Sequence, residues 1–402
     1  MAGADRSEWR QGWPVVLAGM IGIGFGPGLF QNLSSLFTPG MSAEFGWTRG
    51  QIATASGVGM LGALLIPFLG HAADRFGVRP VIAASMLLLG AAYLGLASIA
   101  GQLWQYRLLI FALTLSVAGT SAICYGKLIA ARFAAHRGLA LGVATSGISV
   151  TTLALAPVTA AAIAAWGWRG GFIALGVMAA AVALPLILLL IRGERVAEPG
   201  APEVARDGMS GAEARRTGRF WRLAGCGLLI NLATVGLVTQ LVPWGLDHGL
   251  TAGQAAGLLT AYGASQVIGR LAMGLLVDRF RPQAVAAAVA AVSAAGFLGL
   301  QIDAPGFALA LALVFVAGLM HGAEYDLLPF FTARLFGLRA YGEVYGTVLM
   351  ITLLGTLTGI VGFGRLHDAT GSYALALALA SGALLVAAIG FLTLRDPPRT
   401  AP

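Results

Sequence analysis

The chain has 402 residues, of which 58% are hydrophobic and only 10% charged, with a formal net charge of +8 and a pI near 10.1. Soluble domains carry about 25% charge, so this composition excludes an ordinary soluble core and describes a surface that faces lipid. The basic excess does not describe a nucleic-acid binder, because the arginines cluster in short loops on alternate sides of apolar runs.

Those runs are about 20 residues long, enough to cross a hydrocarbon layer of about 30 Å as helix. Lipid leaves backbone polar groups no other partner, so the runs must be helical, and the short alternating segments of a barrel are not visible. The predicted spans are 13–36, 51–70, 80–98, 107–130, 138–163, 171–191, 222–246, 253–276, 283–301, 307–330, 342–363 and 373–394. The charged start (Asp5, Arg6, Glu8, Arg10) runs straight into span 1, and no cleavable signal is apparent. Span 1 carries Gln31, Asn32, Ser34 and Ser35, with Gly22, Gly24, Gly26 and Gly28 around Pro27, a set that permits bending and close approach. Span 4 carries Cys124, Tyr125 and Lys127. Residues 192–221, rich in Arg, Glu, Pro and Gly without an apolar period, read as a flexible cytoplasmic linker. It divides an N-terminal six-helix bundle, 1–191, from a C-terminal one, 222–402. Span 7 brings Cys226, Asn231 and Gln240, span 8 Gln266 and Arg270, span 10 His321, Glu324 and Asp326, and span 11 Gly355, Gly359 and Gly362.

Outside the spans or at their first residue, 19 basic residues fall on the side that holds both termini, and Arg49, Arg107, Arg169 and Arg365 fall on the other. The positive-inside rule puts both termini in the cytoplasm of a multi-pass inner (plasma) membrane protein. All eight tryptophans lie at or just beyond predicted helix ends, where indoles prefer the interface. Both cysteines sit in apolar segments without CxxC or metal-ligand spacing and read as small core residues. No P-loop, zinc spacing or nucleophile constellation occurs, so neither enzyme, metal nor cofactor is expected.

Away from the span ends, four residues charged at neutral pH lie within the spans: Lys127, Arg270, Glu324 and Asp326. Each costs about 2.5–3.5 kcal/mol at a helix centre, which marks such residues as functional candidates. At 1.5 Å per residue, Arg270 and Asp326 lie ~12 Å from the cytoplasmic ends, Glu324 ~15 Å, and Lys127 only ~7 Å, where it can snorkel. The Arg270 guanidinium stays charged and matches a carboxylate; it reads as an anion site or as a structural ion pair with span 10. Gln266 shares its face one turn earlier. Glu324 and Asp326, two residues apart, point to nearly opposite sides, and at least one is expected to carry a proton or pair with arginine. His321 reads as a core histidine or a proton relay. Gln31, Asn32, Asn231, Tyr125 and Lys127 complete the expected substrate contacts.

Gly46-Trp47-Thr48-Arg49-Gly50-Gln51 recurs as Gly249-Leu250-Thr251-Ala252-Gly253-Gln254, offset by 203, and Asp74-Arg75-Phe76 recurs as Asp278-Arg279-Phe280, offset by 204. Two matches a helix-length apart at nearly one offset imply two halves of equivalent topology, able to rock about a mid-depth site. Gly70-His71-Ala72-Ala73-Asp74-Arg75-Phe76-Gly77-Val78-Arg79-Pro80 resembles the signature loop of the major facilitator superfamily, and Gly274 to Arg279 resembles its degenerate copy. The resemblance implies an all-α fold of twelve transmembrane helices in two bundles, with Asp74, Arg75, Arg79, Asp278 and Arg279 as a cytoplasmic gate.

Within that superfamily, three segments resemble bacterial relatives of the monocarboxylate transporters and the oxalate/formate antiporter. They are Gly322-Ala323-Glu324-Tyr325-Asp326-Leu327-Leu328-Pro329 with Arg334 to Arg339, Arg137-Gly138-Leu139-Ala140-Leu141-Gly142, and Gly167-Trp168-Arg169. The resemblance implies that Arg270 binds a carboxylate. Two places depart from the mammalian pattern: Gln266 stands for an aspartate and Gln31 for a lysine, which moves proton coupling to Glu324 or Asp326. Pro157 in span 5 only loosely resembles the antiporter signature, which disfavours drug efflux. The expectation is a monomeric secondary transporter of a small organic anion, working by alternating access as a proton symporter. An exchanger or exporter is the alternative. A non-transporting sensor would usually need a signalling domain, and the linker and tails hold nothing of that size.

Overall fold

The computed structural model describes residues 2–62, 75–133, 136–192, 208–277, 279–337 and 339–394. Helix occupies part or all of each of the twelve predicted spans, and the strand-like pairing among the described residues is one isolated bridge, Gly208 with Gly337. Seven described helices are long and apolar enough to cross a membrane, or eight if the bent pair Glu8–Gly24 and Pro27–Leu36 is one span. The chain divides into two compact units, 1–200 with 255–260 and 201–254 with 261–402.

In the first unit, α1 (Ala2–Gly24) gives way to α2 (Pro27–Leu33) through a 49° bend. The cause is local: Pro27 has no N–H to give the preceding turn. After α3 (Thr38–Phe45) come α4 (Arg49–Met60), α5 (Val78–Ala97), α6 (Leu103–Leu115), α7 (Ala122–Arg132) and α8 (Arg137–Thr145). Next, α9 (Gly147–Val177) holds one non-helical step, Trp166 and Gly167, before the chain ends this unit in α10 (Leu184–Leu190). That step is the predicted break between spans 5 and 6. Gly167, at φ +71°, takes a left-handed conformation that costs glycine little, so the expected seven-residue loop shrinks to a two-residue reversal.

Just beyond it, Trp168 Nε1 donates to Glu44 at 2.8 Å and Arg169 pairs with the same carboxylate at 2.5 Å, tying the end of α3 to α9. The Arg169 and Trp168 hydrogen bonds hold the Glu44 carboxyl below its ordinary value of 4.5. A depressed carboxylate contributes stability above its unfolded-state value and loses it as pH falls through the folded one. Glu44→Gln should therefore lower the unfolding temperature slightly at pH 7, and the difference should close as the buffer is taken below pH 4.5, as differential scanning fluorimetry would record. Both side chains are about four-tenths exposed, so screening keeps the effect small.

Residues 192–221, expected to be a flexible linker, hold the short helix α11 (Gly211–Arg215), closed by a Ser210–Glu213 capping box. The Met209 N–H donates to the Phe336 carbonyl at 2.8 Å, and Arg215 pairs with Glu343 at 2.7 Å. Hydrogen bonds, not an apolar period, order this segment, which is why hydrophobic patterning missed it. The remaining helices are α12 (Gly218–Asp247), α13 (Ala252–Val277), α14 (Pro282–Gly299), α15 (Gly306–Phe336), α16 (Tyr341–Thr370) and α17 (Ala374–Leu392).

The six-residue repeat has a local cause. Gly46 (φ +66°) and Gly249 (φ +77°) turn the chain left-handed. Thr48 with Gln51, and Thr251 with Gln254, then form reciprocal capping boxes that start α4 and α13. The tryptophans divide. Trp13, Trp104, Trp166 and Trp221 are exposed as interfacial residues should be, whereas Trp47, Trp168 and Trp244 are buried in protein. Trp244 is only 1% exposed, so helix-end position alone overstated its contact with the interface.

Candidate functional site

The second unit brings six of the expected site residues together, and glycine makes that possible. Where α13 crosses α15, a Cβ on Gly269 would strike the Leu319 carbonyl, and one on Gly322 would strike the Gln266 backbone. Gly318 likewise lies against Ser265 and Tyr262. Gly318 and Gly322 form a small-xxx-small seam that lets the two backbones nearly touch. At that crossing Arg270, 7% exposed, meets Asp326: Nε to Oδ2 is 3.5 Å, longer than the 2.7–2.9 Å of a tight charge-assisted bond. The Arg270 Cζ also lies 4.9 Å from the centroid of the Tyr325 ring.

A second close approach sits between α12 and α16. Side chains on Gly355 and Gly359 would strike the carbonyls of Leu228 and Leu232, so these helices too pack backbone on backbone. Gly362, expected to act with them, has open space instead. The approach sets Thr356 beside Asn231, whose Oδ1 accepts from Thr356 Oγ1 at 3.1 Å. Asn231 Nδ2 donates to the Gly227 carbonyl and to the Glu324 carboxyl. The two carboxyls of α15 thus divide as their 200° separation requires, Asp326 toward α13 and Glu324 toward α12. Among the described residues Glu324, 6% exposed, forms no ion pair. His321 is 1% exposed and lies 2.7 Å from the Tyr262 hydroxyl and 3.3 Å from Gln266 Nε2. The Gln266 amide reaches His321, and Gln266 is fully buried.

The remaining substrate candidates belong to the first unit. Asn32, 2% exposed, donates to Thr152 Oγ1 at 3.0 Å and so links α2 to α9. Gln31 and Lys127 are half-buried. Tyr125, an expected substrate contact, is 0% exposed and lies against Gly19 and Gly22 of α1, whose missing side chains make room for its ring. Of the gate residues, Asp74 and Asp278 lie outside the described residues. Arg75 is exposed, with its guanidinium 5.4 Å from the Phe76 ring centre, and Arg279 is exposed. Arg79 reaches the Leu188 carbonyl near the C-terminus of α10 at 3.5 Å, where a cation is favoured.

Sequence reasoning passed over Tyr262, Tyr325 and Thr356. The signal for the first two was available, in the pairing of Gly318-xxx-Gly322 with the polar residues flanking it. Thr356 carried none, because a lone threonine in an apolar helix looks like any other.

Comparison with known proteins agrees with this architecture. The family model described as the Major Facilitator Superfamily matches residues 19–258 and 223–402. The chain is 26% identical over 381 residues to YcxA of Bacillus subtilis, named an uncharacterized MFS-type transporter, covering 91% of this chain and 87% of that one. It is 27% identical over 401 residues to monocarboxylate transporter 13 of Bos taurus, covering 97% and 90%. A crystal structure of a bacterial homolog of the human lysosomal transporter Spinster superposes with a TM-score of 0.75 at 17% identity, covering 96% and 98%, which establishes shared fold alone. With its repeated halves, its membrane-spanning helices and a family match over nearly its whole length, the chain belongs to the major facilitator superfamily, whose members are membrane transporters and not enzymes.

Proposed function

We propose that this protein is a proton-coupled transporter of a small organic carboxylate, in which Arg270 binds the anion and Asp326 carries the proton. The observation that supports this reading is the loose Arg270–Asp326 pair set in mid-helix. The Asp326 side chain is 38% exposed and that of Arg270 only 6%. A carboxylate exposed to hydrocarbon at this depth would be costly, so its open edge is taken to meet water. Protonation of Asp326 removes the charge that neutralises Arg270, and a substrate carboxylate then takes its place. Binding of the proton and binding of the anion thus favour each other, as symport requires. Similarity to proteins named monocarboxylate transporters supports the choice of ligand.

The cytoplasmic placement of both termini in the inner (plasma) membrane, the monomeric state and the alternating-access cycle belong to the same proposal. The charge asymmetry of the loops supports the orientation. The boundaries 1–191, 192–221 and 222–402 remain the proposed halves and linker, with residues 208–217 built onto the second half. Purified protein in proteoliposomes, offered labelled lactate, pyruvate, formate, oxalate and benzoate, separates the modes of transport. Symport predicts concentrative uptake when the outside is acid, collapsing with a protonophore. An exchanger gives counterflow that ignores the pH gradient, and that result would replace the symport reading.

A further inference from the structure

Tyr262, His321 and Tyr325 lie between the backbone of α12 and Arg270, and hydrogen-bond counting fixes what they can do. The Tyr262 hydroxyl is 2.9 Å from the Thr234 carbonyl and 2.7 Å from His321 Nδ1. It has one proton, and the carbonyl can only accept. If that proton went to His321, two oxygens would face each other at 2.9 Å with no hydrogen between them. Thr234, Tyr262 and His321 are all at most 1% exposed, so no solvent would screen the repulsion between two such oxygens. The hydroxyl therefore donates to Thr234, and His321 Nδ1 must carry a hydrogen and donate to Tyr262. Gln266 Nε2, placed 3.3 Å from the same nitrogen, would oppose donor to donor; the amide turned by 180° presents its oxygen instead.

A ring so anchored has a defined orientation. One turn on, Tyr325 stacks on it, with centroids 5.7 Å apart and planes 17° from parallel. The Tyr325 ring in turn carries the Arg270 guanidinium at 4.9 Å. Among the described residues, the charged or titratable groups around this column are Arg270, Glu324, Asp326 and the phenols Tyr262, Tyr325 and Tyr345.

We infer that His321 is a fixed Nδ1–H donor rather than a proton carrier, and that the column Tyr262–His321–Tyr325 positions the Arg270 guanidinium for its anion. Asp326 holds the guanidinium in the resting state, and when the carboxylate is protonated the Tyr325 ring is the contact that keeps it in place. This rests on the reading of Arg270 as the anion site. Of the two readings the sequence allows for His321, it takes the core histidine over the proton relay.

The test uses reconstituted full-length protein and whichever carboxylate of the five-member panel the wild type accumulates fastest. Tyr325→Leu and His321→Leu should raise KM about tenfold, the scale of a partly desolvated cation–π contact, with Vmax within about twofold. Tyr325→Phe, which keeps the ring, and His321→Asn, which sets an N–H near the Nδ1 position, should recover most of that loss. His321→Gln, whose N–H falls near Nε2, should not. Acid-driven accumulation by His321→Asn is the outcome expected of a donor. Its abolition with counterflow spared would make His321 a proton carrier and overturn the inference. Wild-type KM in Tyr325→Leu would overturn it as well. Should the leucine variants not fold, the contrast of Asn with Gln at 321 decides the matter on its own. Arg270→Gln run alongside keeps the two ideas apart: if it transports normally, the anion site itself is misplaced, whatever the column does.

Discussion

Arg270→Gln should insert and fold yet take up no carboxylate at any practical concentration. A hydrogen bond to a charged group contributes about 1.5–3 kcal/mol, or roughly 10- to 150-fold in affinity. Losing the full charge as well carries the expected KM increase beyond about 100-fold. Arg270→Lys keeps the charge but not the planar fork, and should retain measurable uptake at about tenfold weaker affinity. The substitution has a cost besides transport, because Asp326 loses the cation 3.5 Å away. Breaking a buried pair from one side destabilises more than removing both partners. The double variant Arg270→Gln/Asp326→Asn should therefore unfold at a higher temperature than Arg270→Gln while remaining inactive. Uptake by Arg270→Gln at wild-type affinity would sink the anion assignment and leave only the scaffold.

Asp326→Asn should separate transport from the proton gradient. Arg270 then lacks the Asp326 carboxylate at every pH, so the anion binds without a proton and counterflow continues. Concentrative uptake driven by external acid should fall to the level of equilibration, and the pH dependence of KM should flatten. Glu324→Gln serves as the contrast. Its carboxyl accepts from the Asn231 amide, and a glutamine oxygen can accept in the same place, so acid-driven accumulation should persist. The reverse pattern, coupling lost in Glu324→Gln and kept in Asp326→Asn, would transfer the proton to the Asn231–Thr356 network.

Asp326 illustrates how far one sequence can be read. That Glu324 and Asp326 diverge follows from helical geometry, and their depth follows from counting residues to the nearest arginines. Which one meets Arg270 depends on the rotation of α15 against α13, set by Gly269 and Gly322 packing onto backbone and Gly318 onto the Ser265 and Tyr262 side chains. Each glycine is visible in the chain, but only three-dimensional packing shows which of 57 of them touch anything. His321 carries the same lesson in its protonation pattern. Its type and depth allow a core residue or a relay; the inference of a fixed donor draws on the Thr234 carbonyl beside Tyr262, 28 residues away in sequence.

Length and period alone determined the membrane class and its apolar helices, because a lipid environment forces every crossing segment into helix and leaves its apolar length readable; recurring strings marked the repeated halves. The capping boxes at Thr48 and Thr251 were equally local, and so recurred as recognisable strings. Tertiary structure decided what depended on the relation between helices: the Arg270–Asp326 pair, the enclosure of Tyr125, the burial of Trp244 and the docking of residues 208–217. Side-chain direction around a helix axis is a property of the neighbour it packs against, and a linear pattern of polar and apolar residues does not name that neighbour.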